Sequence, residues 1–282
     1  MDSCALRSYL AMFVLNSMII CFSIATEAQP VTQAQQRIVT LAPHLSEWIY
    51  LLDAEQDLVA VSAFSDYPAA ASDHPVVADA NGVNFTQLFN LQPTLVLAWQ
   101  GGNKPQDISR IEASGVRVFT SAPKTLEDIA AELIALGKIL NREAQAQAIA
   151  NQFMRKLLAL QQRYQANPVV TAFYYLWHKP LMTIGHNAWP NQFLAVCNIR
   201  NIFSDSPIDY PEVRLAEVVR RKPDVLITTI EDAAESHAAF WQAHKSVLNA
   251  PIIAIEANKV HRFTPRILDE LSRLCEQVQS KD

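Results

Sequence analysis

The side chains most able to do chemistry near neutral pH are the seven histidines, at positions 44, 74, 178, 186, 237, 244 and 261. They are scattered, and only His237 and His244 are spaced to share a helix face. Holding a metal takes several convergent donors with a supporting shell, so these residues read as surface or loop histidines. Glu231 and Asp232 form a carboxylate pair just after a predicted strand, where a solvated loop accounts for them. The chain carries no GxSxG elbow, GxxxxGK[ST] loop, HExxH, GxGxxG or CxxC. No catalytic residue, metal ligand or resident cofactor is therefore expected.

Aromatic residues at loop positions point to binding instead. Phe64 and Tyr67 lie in FSDYP, Trp99 ends a buried run in AWQGGN, Trp177 and Trp189 flank the stretch from His178 to Ala188, and Tyr210 sits in DYPEV. They lie at predicted strand ends or in the loops between predicted elements. In folds of alternating strands and helices, the residues beyond the carboxyl ends of the strands line the ligand crevice. Several aromatics gathered there suit a large, partly flat ligand.

The elements that must position them follow from hydrophobic patterning. Strands are predicted at Arg37 to Leu41, Leu58 to Ala63, Thr94 to Trp99 and Arg117 to Thr120, alternating with helices at Ser46 to Leu52, Asn84 to Leu91 and Gln106 to Ser114. Mostly apolar strands alternating with helices predict an α/β lobe on a parallel sheet. From Leu126 the pattern turns to long helix. Thr125 and Asp128 form a capping box, Asn141 is placed to cap a second segment, and Arg142 to Gln165 reads as one helix able to brace two lobes. Alternation resumes with strands at Val169 to Leu176 and Asp224 to Thr229 and helices at Pro190 to Cys197 and Val213 to Arg221.

An internal echo relates the two halves. With Pro93 set on Pro223, Phe85 pairs with Leu215, Leu88 with Val218, Phe89 with Val219 and Leu95 to Leu97 with Val225 to Ile227. Each copy is an amphipathic helix, a proline that stops it and a buried strand. Two related lobes with a ligand cleft between them are expected. The predicted layout is an export segment at 1–28, a first α/β lobe at 29–124, a helical segment at 125–167 and a second α/β lobe at 168–282.

Composition narrows the class. Half of the 282 residues are apolar and 18% charged, which excludes a disordered chain, and six glycines leave little material for phosphate loops. A net charge of −5, with no basic block beyond Arg220 to Lys222, argues against a nucleic-acid partner. Arg7 followed by the uncharged run Tyr9 to Ala25 and the small residues of Thr26-Glu27-Ala28 reads as a signal peptide cut after Ala28. The alternative is an uncleaved anchor helix. Cutting removes Cys4 and Cys21 and leaves Cys197 and Cys275, an even pair bound for an oxidising compartment. One disulfide is expected, two buried thiols being the alternative.

The segments RIVTLAP (37–43), VSAFSDYP (61–68), PTLVLAWQGGN (93–103), NQFLAVCNIRNIF (191–203), DYPEV (209–213) and RFTPRI (262–267) resemble the periplasmic cobalamin-binding proteins of ABC importers. The resemblance covers nearly the whole chain after the export segment. It implies two α/β lobes bridged by one long rigid helix, the class III periplasmic binding protein architecture, with cobalamin as transported ligand in the cleft. It implies an exported, non-enzymatic monomer that serves a permease and ATPase complex at the inner membrane. The family's disulfide falls on Cys197 and Cys275. Its corrin-contacting aromatics fall on Phe64, Trp99 and Tyr210, with Tyr67 beside them and Trp189 standing in for a family tryptophan absent near Ala80. The segment Asn258, Lys259, Val260, His261 and Arg262 covers the other side of the ligand, with the Arg262 cation suited to its phosphate. Where the family docks through one acidic residue per lobe, this chain has Thr86 and Ala216, with Glu212 or Glu217 as substitutes in the second lobe and Asp79 in the first. Alternatives are a haem or ferric-siderophore receptor of the same fold, or a periplasmic metal-dependent enzyme built on the histidines.

Overall fold

The computed structural model describes residues 36–229 and 234–279, so the export segment, Glu231 and Asp232 lie outside the described residues. The first lobe comprises β1 (Ile38–Thr40), α1 (Pro43–Leu51), β2 (Leu58–Ser62), β3 (Val76–Asp79), β4 (Gly82–Val83), α2 (Phe85–Asn90), β5 (Leu95–Trp99), α3 (Pro105–Ala113) and β6 (Arg117–Ser121). The sheet order is β4-β3-β2-β1-β5-β6, parallel throughout except between β3 and β4. The chain first leaves β1 on the β2 side and later returns on the β5 side. The carboxyl ends of β1, β2 and β5 therefore surround the point where strand order reverses, the place where open α/β sheets hold ligands.

Two helices follow, α4 (Leu126–Ile139) and α5 (Glu143–Tyr164). The predicted capping box is present: the Thr125 hydroxyl accepts from the Asp128 backbone and the Asp128 carboxylate accepts from the Thr125 backbone. Asn141 does not cap α5. It takes a left-handed φ of 56° at the end of α4, where Asn141 N–H donates to Lys138 and Arg142 N–H to Gly137. That pairing closes α4 as a Schellman motif, in which asparagine tolerates the left-handed position. The 22 residues of α5 span about 33 Å at 1.5 Å per residue. At Gly137 a Cβ would lie 2.3 Å from the Ala146 Cβ, so the two helices approach as closely as a hydrogen at that site permits.

The second lobe comprises β7 (Val170–His178), β8 (Leu181–Thr183), α6 (Pro190–Val196), β9 (Ile199–Asn201), α7 (Leu215–Arg221), β10 (Val225–Thr228), α8 (Ala234–Ala243), β11 (Ile252–Ala254), α9 (Ala257–Val260) and α10 (Ile267–Gln279). Its sheet runs β11-β10-β7-β8, with β9 also pairing to β7. The echo extends to the backbone: Gln92 and Lys222, immediately before the two prolines, are both left-handed, with φ of 47° and 48°. Leu88 and Val218, paired in the echo, are both fully buried.

One apolar core runs from Ile38 and Leu45 in the first lobe through Leu133, Phe153 and Leu157 of the bridging helices to Val170, Phe193 and Leu274 in the second. Smaller clusters cover the outer face of each sheet, around Leu88 and Ile111 in the first lobe and around Phe173 and Trp241 in the second. Cys197 at the end of α6 and Cys275 in α10 form a disulfide across a sequence separation of 78. Among the described residues no helix is long and apolar enough to cross a membrane.

Candidate functional site

The first half of the site is delivered by three neighbouring strand ends. β1 leads into α1, which begins at Pro43, three residues before the predicted start, because proline at the first helical position has no amide to satisfy. β2 leads into the FSDYP turn. There Ser62, Ser65, Ser46 and Thr40 join through buried hydroxyl contacts of 2.6 to 3.2 Å and tie the turn to α1. Phe64 stands 80% exposed with a left-handed φ of 64°. A phenylalanine holds that conformation only when its surroundings impose it. β5 ends at Trp99, whose backbone N–H donates to the Asn103 side chain at 2.7 Å. A Cβ at Gly102 would come within 2.1 Å of the Trp99 indole, and one at Gly101 within 2.8 Å, so the two glycines let the following turn fold against the ring.

The second half comes from the other lobe. Trp189 opens α6 and donates its indole N–H to the Val260 carbonyl at 2.8 Å. The Tyr210 hydroxyl accepts from the Trp189 backbone; burial, then the charge of Asp209, nevertheless raise its pKa. The loop carrying Tyr210 lies so close to β8 that a Cβ at Gly185 would sit 1.9 Å from the Ile208 carbonyl.

The two halves meet on segment 258–266. Phe263 packs edge-on against Trp189 at 4.6 Å, against His44 at 5.2 Å and at a tilt against Trp99 at 5.5 Å, and its carbonyl accepts from the Trp48 indole at 2.8 Å. Arg262 donates to the Phe64 carbonyl at 3.0 Å and to the Asn258 side chain at 3.2 Å, and pairs with Asp66 at 2.7 Å and Glu47 at 3.0 Å. The Arg266 guanidinium lies 3.6 Å from the Tyr67 ring centroid. Five of the six expected aromatics thus connect to one segment: Phe64 and Tyr67 through its arginines, Trp99 and Trp189 through its phenylalanine, and Tyr210 through Trp189. The sixth, Trp177, lies not in a loop but on β7, which runs on to His178, and its half-exposed ring faces that of His178 at 6.3 Å.

Two expectations change here. Arg262 does not point a free cation at the ligand side; it is 6% exposed and its guanidinium is committed to inward and loop partners, because the buried Glu47 carboxylate draws it. The histidines are not all loop or surface residues. His44 is buried in the aromatic cluster, where burial, then the charge of Arg262, lower its pKa to about 3. Burial lowers that of His261 to about 4, and its Nε2 faces the Tyr174 hydroxyl at 3.3 Å and the Thr229 hydroxyl at 3.4 Å. Val260 is fully buried, and Lys259 pairs with Glu256 at 2.7 Å, leaving Asn258 as the exposed polar group of the segment. Glu47, Trp48 and Phe263 were not singled out from sequence, and His44 was read there as a surface or loop histidine. RFTPRI did carry Phe263, and aromatic residues set among arginines outside a regular element are the signal that could have found it.

Residues 38–250 match the periplasmic binding protein family. The chain belongs to that family. It is 34% identical over 242 residues to the vitamin B12-binding protein of Vibrio cholerae serotype O1, covering 85% of this chain and 88% of the relative. The crystal structure of the periplasmic vitamin B12-binding protein of Vibrio cholerae superposes with a TM-score of 0.80 at 31% identity, covering 87% and 98% of the two chains. A periplasmic haem-binding protein of Vibrio cholerae also superposes, with a TM-score of 0.76 over 86% and 99%, but at 19% identity it shares the fold alone. The two lobes braced by α4 and α5 are the class III architecture of these periplasmic binding proteins, a family that binds its ligand without transforming it. Among the described residues no group of three or more His, Cys, Asp or Glu could hold a metal ion.

Thr86 and Ala216 occupy equivalent exposed positions on α2 and α7 of this periplasmic binding protein, as the echo requires. Glu217 is not a free acid. Hydrogen bonds from Arg220, then Arg221, lower its pKa to about 2 and commit its carboxylate to those side chains. Glu212 is exposed, and Asp79 accepts from the Asn81 backbone at 2.7 Å.

Proposed function

We propose that this periplasmic binding protein captures cobalamin between its lobes and delivers it to the permease and ATPase of an ABC importer. The observation that carries the reading is the pairing of 31–34% identity to vitamin B12-binding proteins over more than four fifths of the chain with five aromatics joined through one segment. The exposed faces of Phe64, Tyr67 and Tyr210, with half-buried Trp99 and Trp189, offer a broad apolar surface with polar tips. Asn258 supplies amide contacts. Arg262 supports the reading from behind, by holding the Phe64 turn, rather than by meeting the ligand's phosphate.

Docking would use Thr86 and Ala216 as neutral contact points and Glu212 as the available acid of the second lobe. Charge pairs on such an exposed face set orientation and encounter rate more than affinity. The test is calorimetric titration of the mature protein with cyanocobalamin, haem and a ferric siderophore. Tight 1:1 binding of cyanocobalamin with no heat from the other two is expected. Tight haem or siderophore binding without cyanocobalamin binding would overturn the reading.

A further inference from the structure

Glu47 is the least expected member of this region. It lies inside α1 with 2% of its side chain exposed, and its carboxylate is turned to arginines. Both of its oxygens are used. Oε1 accepts from Arg262 at 3.0 Å and from Arg266 at 2.6 Å, and Oε2 accepts from Arg266 Nε at 2.9 Å. The pairing with Arg266 is bidentate, the geometry that orients a guanidinium most strictly. The two arginines then turn outward to the same turn: Arg262 holds the Phe64 carbonyl and Asp66, and Arg266 lies under the Tyr67 ring. Two carboxylates and two guanidiniums make the cluster neutral. Without Glu47, two largely buried cations would face each other with one carboxylate between them.

We propose that Glu47 is a positioning residue for ligand capture: through Arg262 and Arg266 it fixes the Phe64–Tyr67 turn in its left-handed, ring-outward form before ligand arrives. The role rests on the ligand reading above for its functional consequence, and on the contacts of Glu47, Arg262 and Arg266 for its physical basis. Phe64 is the most exposed of the large apolar side chains described, in a backbone conformation that phenylalanine does not choose. Two restraints impose it, the hydroxyl contacts from Ser46 and the arginines oriented by Glu47, and both originate in adjacent residues of α1. A preformed turn removes an ordering cost from binding.

The test uses the full mature protein with Glu47→Gln and, separately, Asp66→Asn. Asp66 is exposed, so its neutralisation removes the ion pair by which Arg262 grips the turn while Glu47 still pairs both arginines, and that variant folds even if Glu47→Gln does not. In unliganded protein the Ser65 amide, which donates to Ser62, is expected to exchange hydrogen at least tenfold faster in either variant. The Ala63 amide, which donates to Ala78 beyond the turn, is expected to keep its wild-type rate. Cyanocobalamin affinity, measured well below the melting temperature, is expected to fall about tenfold. Exchange at Ser65 that stays at the wild-type rate, or that rises equally at Ala63, overturns the positioning role and leaves Glu47 as a general stabiliser. A wild-type protein that binds no cyanocobalamin overturns the cobalamin reading instead, and the exchange comparison still decides the role of Glu47.

Discussion

Acid should weaken this fold well before its carboxylates are neutralised. His44 and His261 are held neutral in the native state, with pKa values of about 3 and about 4 against 6.5 in the unfolded chain. As pH falls through 6.5 the unfolded chain takes up two protons that the folded protein refuses, so stability is complete above pH 7 and drains away as pH drops toward 4. At about 1.4 kcal/mol per pH unit per site, the two together remove about 5 kcal/mol between pH 7.5 and 4.5. The groups facing His44 are Ser121 at 3.3 Å, Glu132 beyond it through a 2.5 Å hydrogen bond, and the nearby charge of Arg262. Burial raises the Glu132 carboxyl, which therefore protonates first in the folded state and returns a minor part of the loss near the acid end. Thermal melts at pH 7.5, 6.0 and 4.5 should show a fall of roughly 10–20 °C at the usual 2–4 °C per kcal/mol for a chain of this size. His261→Asn should retain contact with Tyr174 and Thr229 and flatten the profile by about half. A melting temperature constant from pH 7.5 to 4.5 would refute the assignment of both histidines as buried neutral groups, and an unaltered profile in His261→Asn would refute that of His261.

Three further outcomes are expected. Gly137→Val places carbons where Ala146 already sits, and should destabilise by about 1–3 kcal/mol through overpacking, read as a lower urea midpoint. Trp99→Ala removes a ring wrapped by Gly101 and Gly102 and packed on His44 and Phe263, and should weaken cyanocobalamin binding by about 2 kcal/mol or more in calorimetry while the far-ultraviolet circular dichroism is unchanged. Reducing Cys197–Cys275 opens a loop of 78 residues and should cost about 4.5 kcal/mol on chain-entropy grounds, seen as a lower denaturation midpoint in reductant; two reactive thiols in the oxidised unfolded protein would count against the bridge.

Sequence pattern reached the elements whose cause is local. β1, β2 and β5 are continuous apolar runs, Thr125 and Asp128 announce α4, and the paired prolines at 93 and 223 announce both the helix stops and the buried strands behind them. What depended on partners far along the chain was not legible. β4, β8, β9 and β11 have two or three residues each, too few for any period, and exist because neighbouring strands offer a ladder. Asn141 reads equally well as a helix start or a left-handed helix end, and the Gly137–Ala146 contact of α4 and α5 decides between them. The aromatic surface was legible because tryptophan and tyrosine beside proline and glycine are conspicuous. Its support was not: Glu47 is one acid in a short helix, and its two arginines lie 215 and 219 residues away.

The unbroken apolar core beneath both lobes has a consequence for delivery. Leu133, Phe153 and Leu157 belong to the same packed body as the residues behind each sheet, so spreading the lobes apart means shearing that body and wetting it. Thermal motion of two bodies on a soft linker could discharge cargo anywhere. Here the work of parting them must be supplied from outside, by whatever grips both lobes at once, which confines unloading to the place where such a grip exists. The same continuity predicts that heating yields one transition rather than two, since neither half owns the interior it depends on.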